Sequence, residues 1–329
     1  MTLHISTGLA PAALSILILA VIPITQVTVP TTITISSPGT PHFNYILTIL
    51  LENQGLNQTY GSRCPGNCTY ITQLANTYGL AENYSAIAHP SLPNYLALTS
   101  GGNYDIAPFN TDCRPSSTGC QISAPNIIDG IEASGRSWKA YMEDYNGGCS
   151  HTGSLYYHNA HNPFLYYTDI TSSITRCSRI VDANPGATGY LALPTTLITD
   201  LNSTATSSNY MWLTPNICDD GHNLCAPLNN TVTQVNDYLS QIVPKILNST
   251  IFKSQQAALL ITWDEASSKN PNPNKVTAIW AGNPIKTSYK SLSTYDHYST
   301  ARTIETAWNL PTLTGYDSKA KPMTEFFFP

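Results

Sequence analysis

The sequence predicts an α/β fold built on a mostly parallel sheet. Two near-continuous apolar runs, residues 43–51 and 257–263, are typical of strands buried on both faces of such a sheet. Segments with helical and strand patterns alternate around them, as expected for a parallel sheet covered by helices. Each run leads directly into an acid-containing pair, Glu52-Asn53 or Asp264-Glu265. In open α/β sheets ligands bind at the carboxyl ends of strands, so these pairs mark the expected site.

The other elements follow from local patterns. Ser91 can cap a helix that Gly101 and Gly102 end, because Ser accepts hydrogen bonds at helix starts and Gly adopts the left-handed conformation that closes them. Further helices are predicted at 69–78, 126–134, 195–201, 231–247 and 299–309, and further strands at 137–142, 210–214 and 276–280. Loops are predicted at 103–124 and 215–226, and residues 145–180 form a long insertion that contains several Tyr and His residues.

The composition is poor in charge. Charged residues make up 11% of the 329 residues, well below the roughly 25% of ordinary globular domains. The net charge of −5 and the 15 Lys and Arg residues argue against a nucleic-acid partner, because no basic patch stands out. A surface with few carboxylates changes its charge little as the pH falls. We therefore hypothesise an acidic external habitat, which an alkaline activity optimum would contradict.

An apolar, charge-free segment lies near the N-terminus, from Leu9 to Pro23. The segment and the Thr-, Pro- and Ser-rich stretch after it are typical of a secretory signal peptide or an N-terminal membrane anchor, and the sequence does not distinguish the two. We divide the chain into a signal or anchor at 1–29, a spacer at 30–42 and one large domain at 43–329. Either interpretation places the domain outside the cell or at its surface.

Glycosylation sequons and cysteines agree with export. Asn-x-Ser/Thr occurs at Asn57, Asn67, Asn83, Asn202, Asn229 and Asn248. The eight cysteines fall into pairs that are close in sequence, so we predict the disulfides Cys64–Cys68, Cys113–Cys120, Cys149–Cys177 and Cys218–Cys225. A zinc cluster is the alternative, but the sequence has no Cys-x-x-Cys pair.

The two acid-containing pairs would bring three carboxylates and one amide to one edge of the sheet. Oxygen-rich clusters of this kind bind hard or borderline divalent ions, and the sequence leaves Zn, Fe, Mn and Ca open. Taken singly, Glu52-Asn53 and Asp264-Glu265 are equally typical of solvated loops. Their shared position after apolar strands is what supports a metal site.

Ser91 is the candidate nucleophile. A hydroxyl at a helix N-terminus lies among free backbone N–H groups, where phosphate also binds, and a nearby metal ion would lower its pKa. The alternative is that Ser91 serves only as an N-cap, which is common for Ser. The neighbouring His89 and Asn94 favour the functional interpretation.

Several histidines have neighbours that are common at catalytic sites. They are His158 and His161 in the insertion, His222 after Asp219-Asp220, and His297 after Asp296. An Asp beside a His often supports a metal-bound ring, and a His can protonate a leaving alkoxide. A surface histidine is the alternative at each position, and we accept it for His4 and His151.

Six short motifs occur in order along residues 43–311. They are Leu51-Glu52-Asn53, His89-Pro90-Ser91-Leu92-Pro93-Asn94-Tyr95, His161-Asn162-Pro163-Phe164, Asp219-Asp220-Gly221-His222-Asn223, Trp263-Asp264-Glu265 and Tyr295-Asp296-His297-Tyr298-Ser299. As a set they resemble the phosphoesterase family, which holds bacterial acid phosphatases and phospholipases C within the alkaline-phosphatase-like superfamily. The resemblance implies a three-layer α/β/α sandwich with the site at the strand ends.

The resemblance also implies roles for individual residues. The metal ligands it implies are Glu52, Asn53, Asp264, Glu265 and Ser91, of which Ser91 is also the nucleophile that forms a phosphoseryl intermediate. The catalytic histidines it implies are His161 and His222, near the phosphate or leaving group, with His297 as a further candidate. Supporting positions are His89, Asn94, His158, Asp219, Asp220 and Asp296.

On this resemblance the chain is expected to be a metal-dependent phosphoric ester hydrolase, an extracellular acid phosphatase acting on monoesters. A phospholipase C-type diesterase acting on phospholipid head groups is the first alternative. A glycosylated surface protein that binds a ligand without chemistry is the second, and the sequons and the Tyr-containing insertion are its support. A sulfatase is disfavoured, because the Cys-x-Pro-x-Arg signature of the formylglycine type does not occur.

Overall fold

The computed structural model describes residues 40–64, 66–267 and 274–329. Within these ranges the strands are β1 (Tyr45–Leu51), β2 (Gly79–Ala81), β3 (Tyr84–Ser85), β4 (Trp138–Met142), β5 (Ile180–Asp182), β6 (Tyr210–Thr214), β7 (Ala257–Trp263), β8 (Ala278–Gly282), β9 (Tyr289–Ser291) and β10 (Tyr295–Asp296). The α-helices are α1 (Leu56–Thr59), α2 (Thr69–Thr77), α3 (Ser91–Ser100), α4 (Ile127–Ala133), α5 (Thr168–Thr171), α6 (Ile174–Cys177), α7 (Thr195–Asp200), α8 (Thr231–Leu247), α9 (Thr250–Ser254) and α10 (His297–Trp308). Short 3₁₀ turns lie at Gly61–Arg63, Phe109–Thr111, Asn159–His161, Pro163–Leu165, Asp317–Lys319 and Thr324–Phe326.

A large, mostly parallel sheet forms the middle of the fold. In the described part of the chain it has eight strands, in the spatial order β5-β4-β6-β1-β7-β8-β2-β9. Strand β8 is antiparallel to both of its neighbours, and the other adjacent pairs in this order are parallel. Strands β3 and β10 form a separate parallel pair. The mostly parallel sheet predicted from the sequence is confirmed.

Strand β1 lies inside the sheet between β6 and β7, and its pairing sets the position of the site. Leu51 at its end is opposite Trp263 at the end of β7. The residues that follow, Glu52 and Asp264, therefore leave the sheet at the same level. Both strands are buried along nearly their whole length. Strands buried on both faces need a layer of helices on each side.

The helices pack in groups against this sheet. Helix α3 packs on α10, and α2 packs on α8. Four of the largest buried side chains, Trp138, Trp212, Trp263 and Trp280, project from the strands and are almost fully excluded from solvent. The three-layer α/β/α arrangement is confirmed. It is expected because the strands are too apolar for either face of the sheet to be exposed to water.

Two helices begin at other residues than the sequence predicted. Helix α3 starts at Ser91 with Pro90 as N-cap, so Ser91 is not the capping residue. Helix α10 starts at His297 rather than near residue 299. The cause is Asp296, whose side chain accepts a hydrogen bond from the Ser299 N–H and so caps the helix two residues earlier.

The short strands were the elements that local patterns did not predict. β2, β5 and β9 have three residues each, and β3 and β10 have two. Such lengths carry no periodic signal. Strand β8 begins at Ala278, two residues later than expected. The insertion at 145–180 contains the short helices α5 and α6, which local patterns did not predict.

Disulfides close four loops among the described residues. They are Cys64–Cys68, Cys113–Cys120, Cys149–Cys177 and Cys218–Cys225, the pairs predicted from sequence proximity. The predicted signal or anchor at 1–29 and most of the spacer at 30–42 lie outside the described residues. Among the residues that are described, no helix is long and apolar enough to cross a membrane.

Candidate active site

Glu52 follows the last residue of strand β1 and is fully buried. Its Oε2 accepts hydrogen bonds from the Ser91 hydroxyl at 3.0 Å and from Nδ2 of Asn53 at 3.1 Å. Its Oε1 accepts one from the Tyr95 hydroxyl at 2.5 Å and lies 3.4 Å from Nε2 of His161. Glu52 is therefore the point at which strand β1, helix α3 and the insertion meet.

Helix α3 supplies two hydroxyl groups to this carboxylate. Ser91 and Tyr95 are four residues apart, so both project from one face of the helix. Tyr95 was not among the predicted site residues. The signal was present in its spacing from Ser91, although a buried Tyr on a helix is usually part of the core.

Asn94 fixes the turn that precedes the nucleophile. Its Oδ1 accepts hydrogen bonds from the backbone N–H groups of Ile87 and Ala88, at 2.8 and 3.1 Å. Its Nδ2 donates to the carbonyl oxygens of Ala88 and Pro90. The structure therefore places Asn94 behind Ser91, where it supports the backbone rather than facing a substrate.

Asp264 joins the ends of β7 and β1. Its Oδ1 accepts a hydrogen bond of 2.9 Å from the backbone N–H of Asn53. Asn53 has a φ of 59°, a left-handed conformation that Asn tolerates better than most residues. The Oδ2 atom of Asp264 is buried and accepts no hydrogen bond from the described residues. A buried carboxylate oxygen without a donor is a group that a bound cation would satisfy.

The carboxyl groups at this edge resist ionisation when no cation is present. Burial, followed by the charges of Asp264 and Asp220, raises the pKa of Glu52 well above its ordinary value. Burial also raises the pKa of Asp264 to about 6. A nearby positive charge would reverse both shifts. Carboxylate oxygens such as those of Glu52 and Asp264 are ligands that divalent metal ions prefer.

Glu265, the fourth predicted ligand, is engaged by a histidine. Its Oε2 lies 2.6 Å from Nδ1 of His89. Burial, and then the charge of Asp264, raises the pKa of Glu265 to about 9, whereas burial lowers the pKa of His89. A proton therefore lies between the two side chains at neutral pH. His89 thus contacts a candidate ligand, and its supporting role stays a prediction.

Three histidines form a cluster near Glu52. The ring centroids of His158 and His161 are 4.7 Å apart, those of His161 and His222 are 5.3 Å apart, and those of His158 and His222 are 6.0 Å apart. His161 is buried, whereas His222 is exposed. Ligand atoms of Glu52, His161 and His222 lie within 4.8 Å of one another, which is close enough to hold one metal ion.

The adjacent acids Asp219 and Asp220 have different tasks. Asp220 accepts a hydrogen bond from the backbone N–H of His222 at 2.7 Å, and its Oδ2 lies 3.2 Å from Nδ1 of His161. If Nδ1 carries the proton, Nε2 of His161 presents a lone pair towards Glu52, as in carboxylate–histidine–metal arrangements. Asp219 instead accepts from the backbone N–H of Leu191 at 2.8 Å and so ties down the loop.

A buried polar network that was not predicted holds the loop that carries His222. Oε1 of Glu143 accepts a hydrogen bond of 2.6 Å from the Tyr238 hydroxyl, and Oε2 accepts one of 3.0 Å from the backbone N–H of Asn216. The Asn216 side chain accepts from the N–H of Cys218 and donates to Asp219. Glu143 directly follows strand β4, so the sequence carried the same strand-end signal that marks Glu52.

His297 does not occupy the position that a catalytic acid or base requires. Its Nε2 lies 2.6 Å from the carbonyl oxygen of Asp264, and its Nδ1 lies 3.0 Å from the Tyr84 hydroxyl. A carbonyl oxygen only accepts, so Nε2 holds the proton and Nδ1 accepts from Tyr84. The ring is fully buried, and burial lowers its pKa to about 4. His297 therefore fixes the backbone of Asp264, and Asp296 is the N-cap of α10.

The motifs and the fold agree with one protein family. A family model described as the phosphoesterase family matches residues 50–311. The chain belongs to this family. It is 25% identical to a probable acid phosphatase of Kluyveromyces lactis, covering 84% of this chain and 61% of that protein. A phosphate-repressible acid phosphatase of Penicillium chrysogenum is 26% identical, over 76% of this chain and 57% of that protein. The chain thus spans about three fifths of these fungal relatives.

A bacterial relative is matched over more of its length. The phosphatidylinositol-3-phosphatase of Mycobacterium tuberculosis is 24% identical, over 89% of this chain and 86% of that protein. Among solved structures, a Vibrio parahaemolyticus protein of the alkaline phosphatase superfamily has a TM-score of 0.59 at 12% identity, over 87% of this chain and 70% of that chain. The C-terminal periplasmic domain of EcEptC from Escherichia coli, in complex with Zn, has a TM-score of 0.53 at 11% identity, over 86% and 87%. These likenesses show the fold alone, an α/β fold shared with a protein of the alkaline phosphatase superfamily.

Proposed function

We propose that this phosphoesterase is a metal-dependent acid phosphatase that hydrolyses phosphomonoesters through a phosphoserine on Ser91. The observation that carries the proposal is the hydrogen bond between the Ser91 hydroxyl and Glu52, the residue shared by the acidic strand ends and the histidine cluster. A nucleophile that lies at the start of a helix and is hydrogen-bonded to a carboxylate is suited to phosphoryl transfer.

The proposed chemistry consists of two displacements. The Ser91 oxygen attacks phosphorus while its proton passes towards Oε2 of Glu52, and the bond from phosphorus to the leaving oxygen breaks. We assign protonation of the leaving alkoxide to His222, an exposed histidine of the cluster. Water then attacks the phosphoserine, the Ser91 oxygen leaves and regains a proton, and inorganic phosphate is released.

The proposed metal site uses Glu52, Asn53, Asp264, Glu265 and Ser91. A bound divalent ion supplies positive charge to the phosphate oxygens and lowers the pKa of the Ser91 hydroxyl. The second grouping, formed by Glu52, His161 and His222, is the alternative position for the ion. Imidazole ligands there would favour Zn or Fe over Ca, and the related Escherichia coli domain is described in complex with Zn.

The proposed location is extracellular, and the proposed substrate is a small phosphate ester. Four disulfides support an oxidising compartment, and so do the acid phosphatase names of the fungal relatives. A phosphomonoester on an inositol lipid is the second candidate, because the relative matched over 86% of its length is a phosphatidylinositol-3-phosphatase. Diester hydrolysis of phospholipase C type is the third.

An activity panel on metal-stripped protein tests the proposal. We expect nitrophenyl phosphate to be hydrolysed after a divalent ion is added back, and phosphatidylcholine and nitrophenyl diesters to react at least tenfold more slowly. Ser91→Ala should lose nearly all turnover. The matched control is Ser100→Ala, because Ser100 is the last residue of the same helix and donates to the Leu96 carbonyl.

Three results would contradict the proposal. Near-native activity of Ser91→Ala would exclude Ser91 as the nucleophile. Faster hydrolysis of diesters than of monoesters would favour the phospholipase C alternative. Complete inactivity with Zn, Fe, Mn and Ca in turn would favour a non-catalytic binding protein.

A further inference from the structure

Asp112 lies beside the nucleophile, although no sequence motif marks it. Its Oδ1 accepts a hydrogen bond of 2.8 Å from the backbone N–H of Leu92, the residue after Ser91. Leu92 is the second residue of α3, and the first four N–H groups of a helix have no partner inside it. A carboxylate 20 residues further along the chain therefore accepts the hydrogen bond of the N–H group next to Ser91.

The loop fixes the position of this carboxylate. Asp112 has a φ of 49°, and its N–H donates to the carbonyl of Phe109 at 3.1 Å. The next residue, Cys113, is bonded to Cys120, and its carbonyl accepts a hydrogen bond of 2.7 Å from the Tyr166 hydroxyl. The backbone on both sides of Asp112 is thus anchored.

The charge of Asp112 reaches both halves of the site. Burial raises its pKa, while the Leu92 N–H and the charges of His158 and His222 lower it. In turn the charge of Asp112 is one of the causes that raise the pKa of Glu265, after burial and Asp264. Asp112 is therefore within electrostatic reach of Glu265, at the end of β7, and of two histidines of the cluster, His158 and His222.

When Asp112 is ionised, its negative charge beside the phosphate subsite has a consequence for substrate choice. Free N–H groups at a helix start attract anions, but here the Leu92 N–H already binds an anion of the chain. Like charges a few ångströms apart in a partly buried site repel each other strongly. Resting on the proposed function, we propose that Asp112 determines specificity: it disfavours phosphate esters and anhydrides whose leaving group carries a further negative charge.

The preferred class is then a phosphomonoester with a neutral or cationic leaving group. Pyrophosphate and bisphosphates belong to the disfavoured class. Asp112→Asn separates this role from a structural one, because an Asn side-chain oxygen still accepts the Leu92 hydrogen bond but lacks the charge. The matched control is Asp105→Asn, since Asp105 is an acid of the same loop whose charge raises the pKa of His89 but is exposed and screened by solvent.

The test measures binding of pyrophosphate and of nitrophenyl phosphate by calorimetry, with full-length protein in the Ser91→Ala background. We expect Asp112→Asn to lower the Kd for pyrophosphate about tenfold, which is about 1.4 kcal/mol of binding free energy. The Kd for nitrophenyl phosphate should fall less than about threefold. Asp105→Asn should change neither. In the protein with Ser91 intact, the ratio of kcat/KM for pyrophosphate to that for nitrophenyl phosphate should rise by the same tenfold.

Several outcomes overturn the inference. They are equal tightening of both ligands, no tightening by Asp112→Asn, an equal effect of Asp105→Asn, and failure of either ligand to bind. Failure of the proposed function is a separate result, since it is absence of turnover in the protein with Ser91 intact. The calorimetric comparison still decides the role of Asp112 in that case.

Discussion

Tyr95 holds the central carboxylate in one orientation. Its hydroxyl donates to Oε1 of Glu52 at 2.5 Å, while Ser91 donates to Oε2. Tyr95→Phe removes this bond but keeps the ring that packs on His161 and Trp212. Because the carboxylate would gain freedom, we expect kcat/KM to fall about tenfold, or about 1.4 kcal/mol, in steady-state assays.

Tyr167→Phe is the control for this prediction. The Tyr167 hydroxyl is equally buried and bonds Oγ1 of Thr99 on the same helix α3, at 2.6 Å. Its removal should cost about 1 kcal/mol of unfolding free energy and leave kcat/KM unchanged. Equal losses of activity in the two variants would mean that Tyr95 acts only through the stability of the fold.

His297 is expected to act on Asp264 through the backbone, not on the substrate. We predict that His297→Ala lowers kcat/KM about tenfold or more, because the carbonyl of Asp264 loses the donor that fixes it. His297→Gln should restore most of this activity, since an amide nitrogen also donates. A proton-transferring histidine would not be rescued by Gln, so equal inactivity of both variants contradicts the positioning role.

At the scale of elements, the segment 215–226 combines a disulfide with functional side chains. Cys218–Cys225 closes the loop that carries Asp220 and His222. Cys218→Ala/Cys225→Ala should loosen this loop, because the open chain has more conformations. We expect kcat about tenfold lower and faster hydrogen exchange at residues 219–224, without global unfolding.

The control for the loop is the disulfide Cys64–Cys68. Its sulfur atoms contact Gly61, Gly66 and Thr72, which are not part of the histidine cluster. Cys64→Ala/Cys68→Ala should leave kcat within about twofold of the unmodified protein. If both double variants lose activity equally, loop order around His222 is not what limits turnover.

The elements that the sequence predicted well are those with strong local patterns. β6, β7 and α8 have the expected bounds, because apolar runs and an amphipathic face require no distant information. The strand-end rule predicts that Glu52 and Asp264 lie close together, and the pairing of β1 with β7 supports this placement. Tyr95, one turn after Ser91, and Glu143, directly after β4, carry local signals of the same kind.

Other features could not be predicted locally. Asp112 meets Leu92 only because a loop folds back over the start of α3. The orientation of His297 depends on Tyr84, which is 213 residues away in sequence. Tertiary contacts of this kind determine the hydrogen-bond partners of each histidine. Sequence motifs therefore identify candidate histidines but not the role of each one.

At the scale of the whole molecule, buried carboxyl groups make stability depend on pH. Burial, and then the neighbouring Asp317, raises the pKa of Glu305 to about 8. An acid whose pKa is higher in the folded than in the unfolded state destabilises the fold above the folded pKa. This cost disappears as the pH falls towards the unfolded value near 4.5. The low content of surface charge and such groups together favour a mildly acidic optimum of stability.

Glu305→Gln tests this dependence. We expect it to raise the unfolding free energy by about 1–2 kcal/mol at pH 8 to 9 and by nearly nothing at about pH 4, in denaturant titrations. Equal effects at both pH values would contradict the assigned pKa.

Glu325 should behave in the opposite way. Burial raises its pKa, but hydrogen bonds from Ser291 and Tyr295 outweigh that effect and lower the pKa to about 2. Its stabilising contribution is present above the unfolded pKa near 4.5 and is lost as the pH falls through about 2. Glu325→Gln should therefore destabilise the protein at pH 7 and have little effect at pH 2. A variant as stable as the unmodified protein at pH 7 would refute this assignment.

We propose that the phosphoryl group is bound covalently to Ser91 during turnover, and acid-quenched mass spectrometry tests this most directly. Protein mixed with divalent ion and a phosphomonoester, then quenched in acid within the first turnovers, should carry phosphate on the peptide that contains Ser91. Ser91→Ala should carry none there. Turnover with no phosphate on that peptide at any quench time would contradict the account.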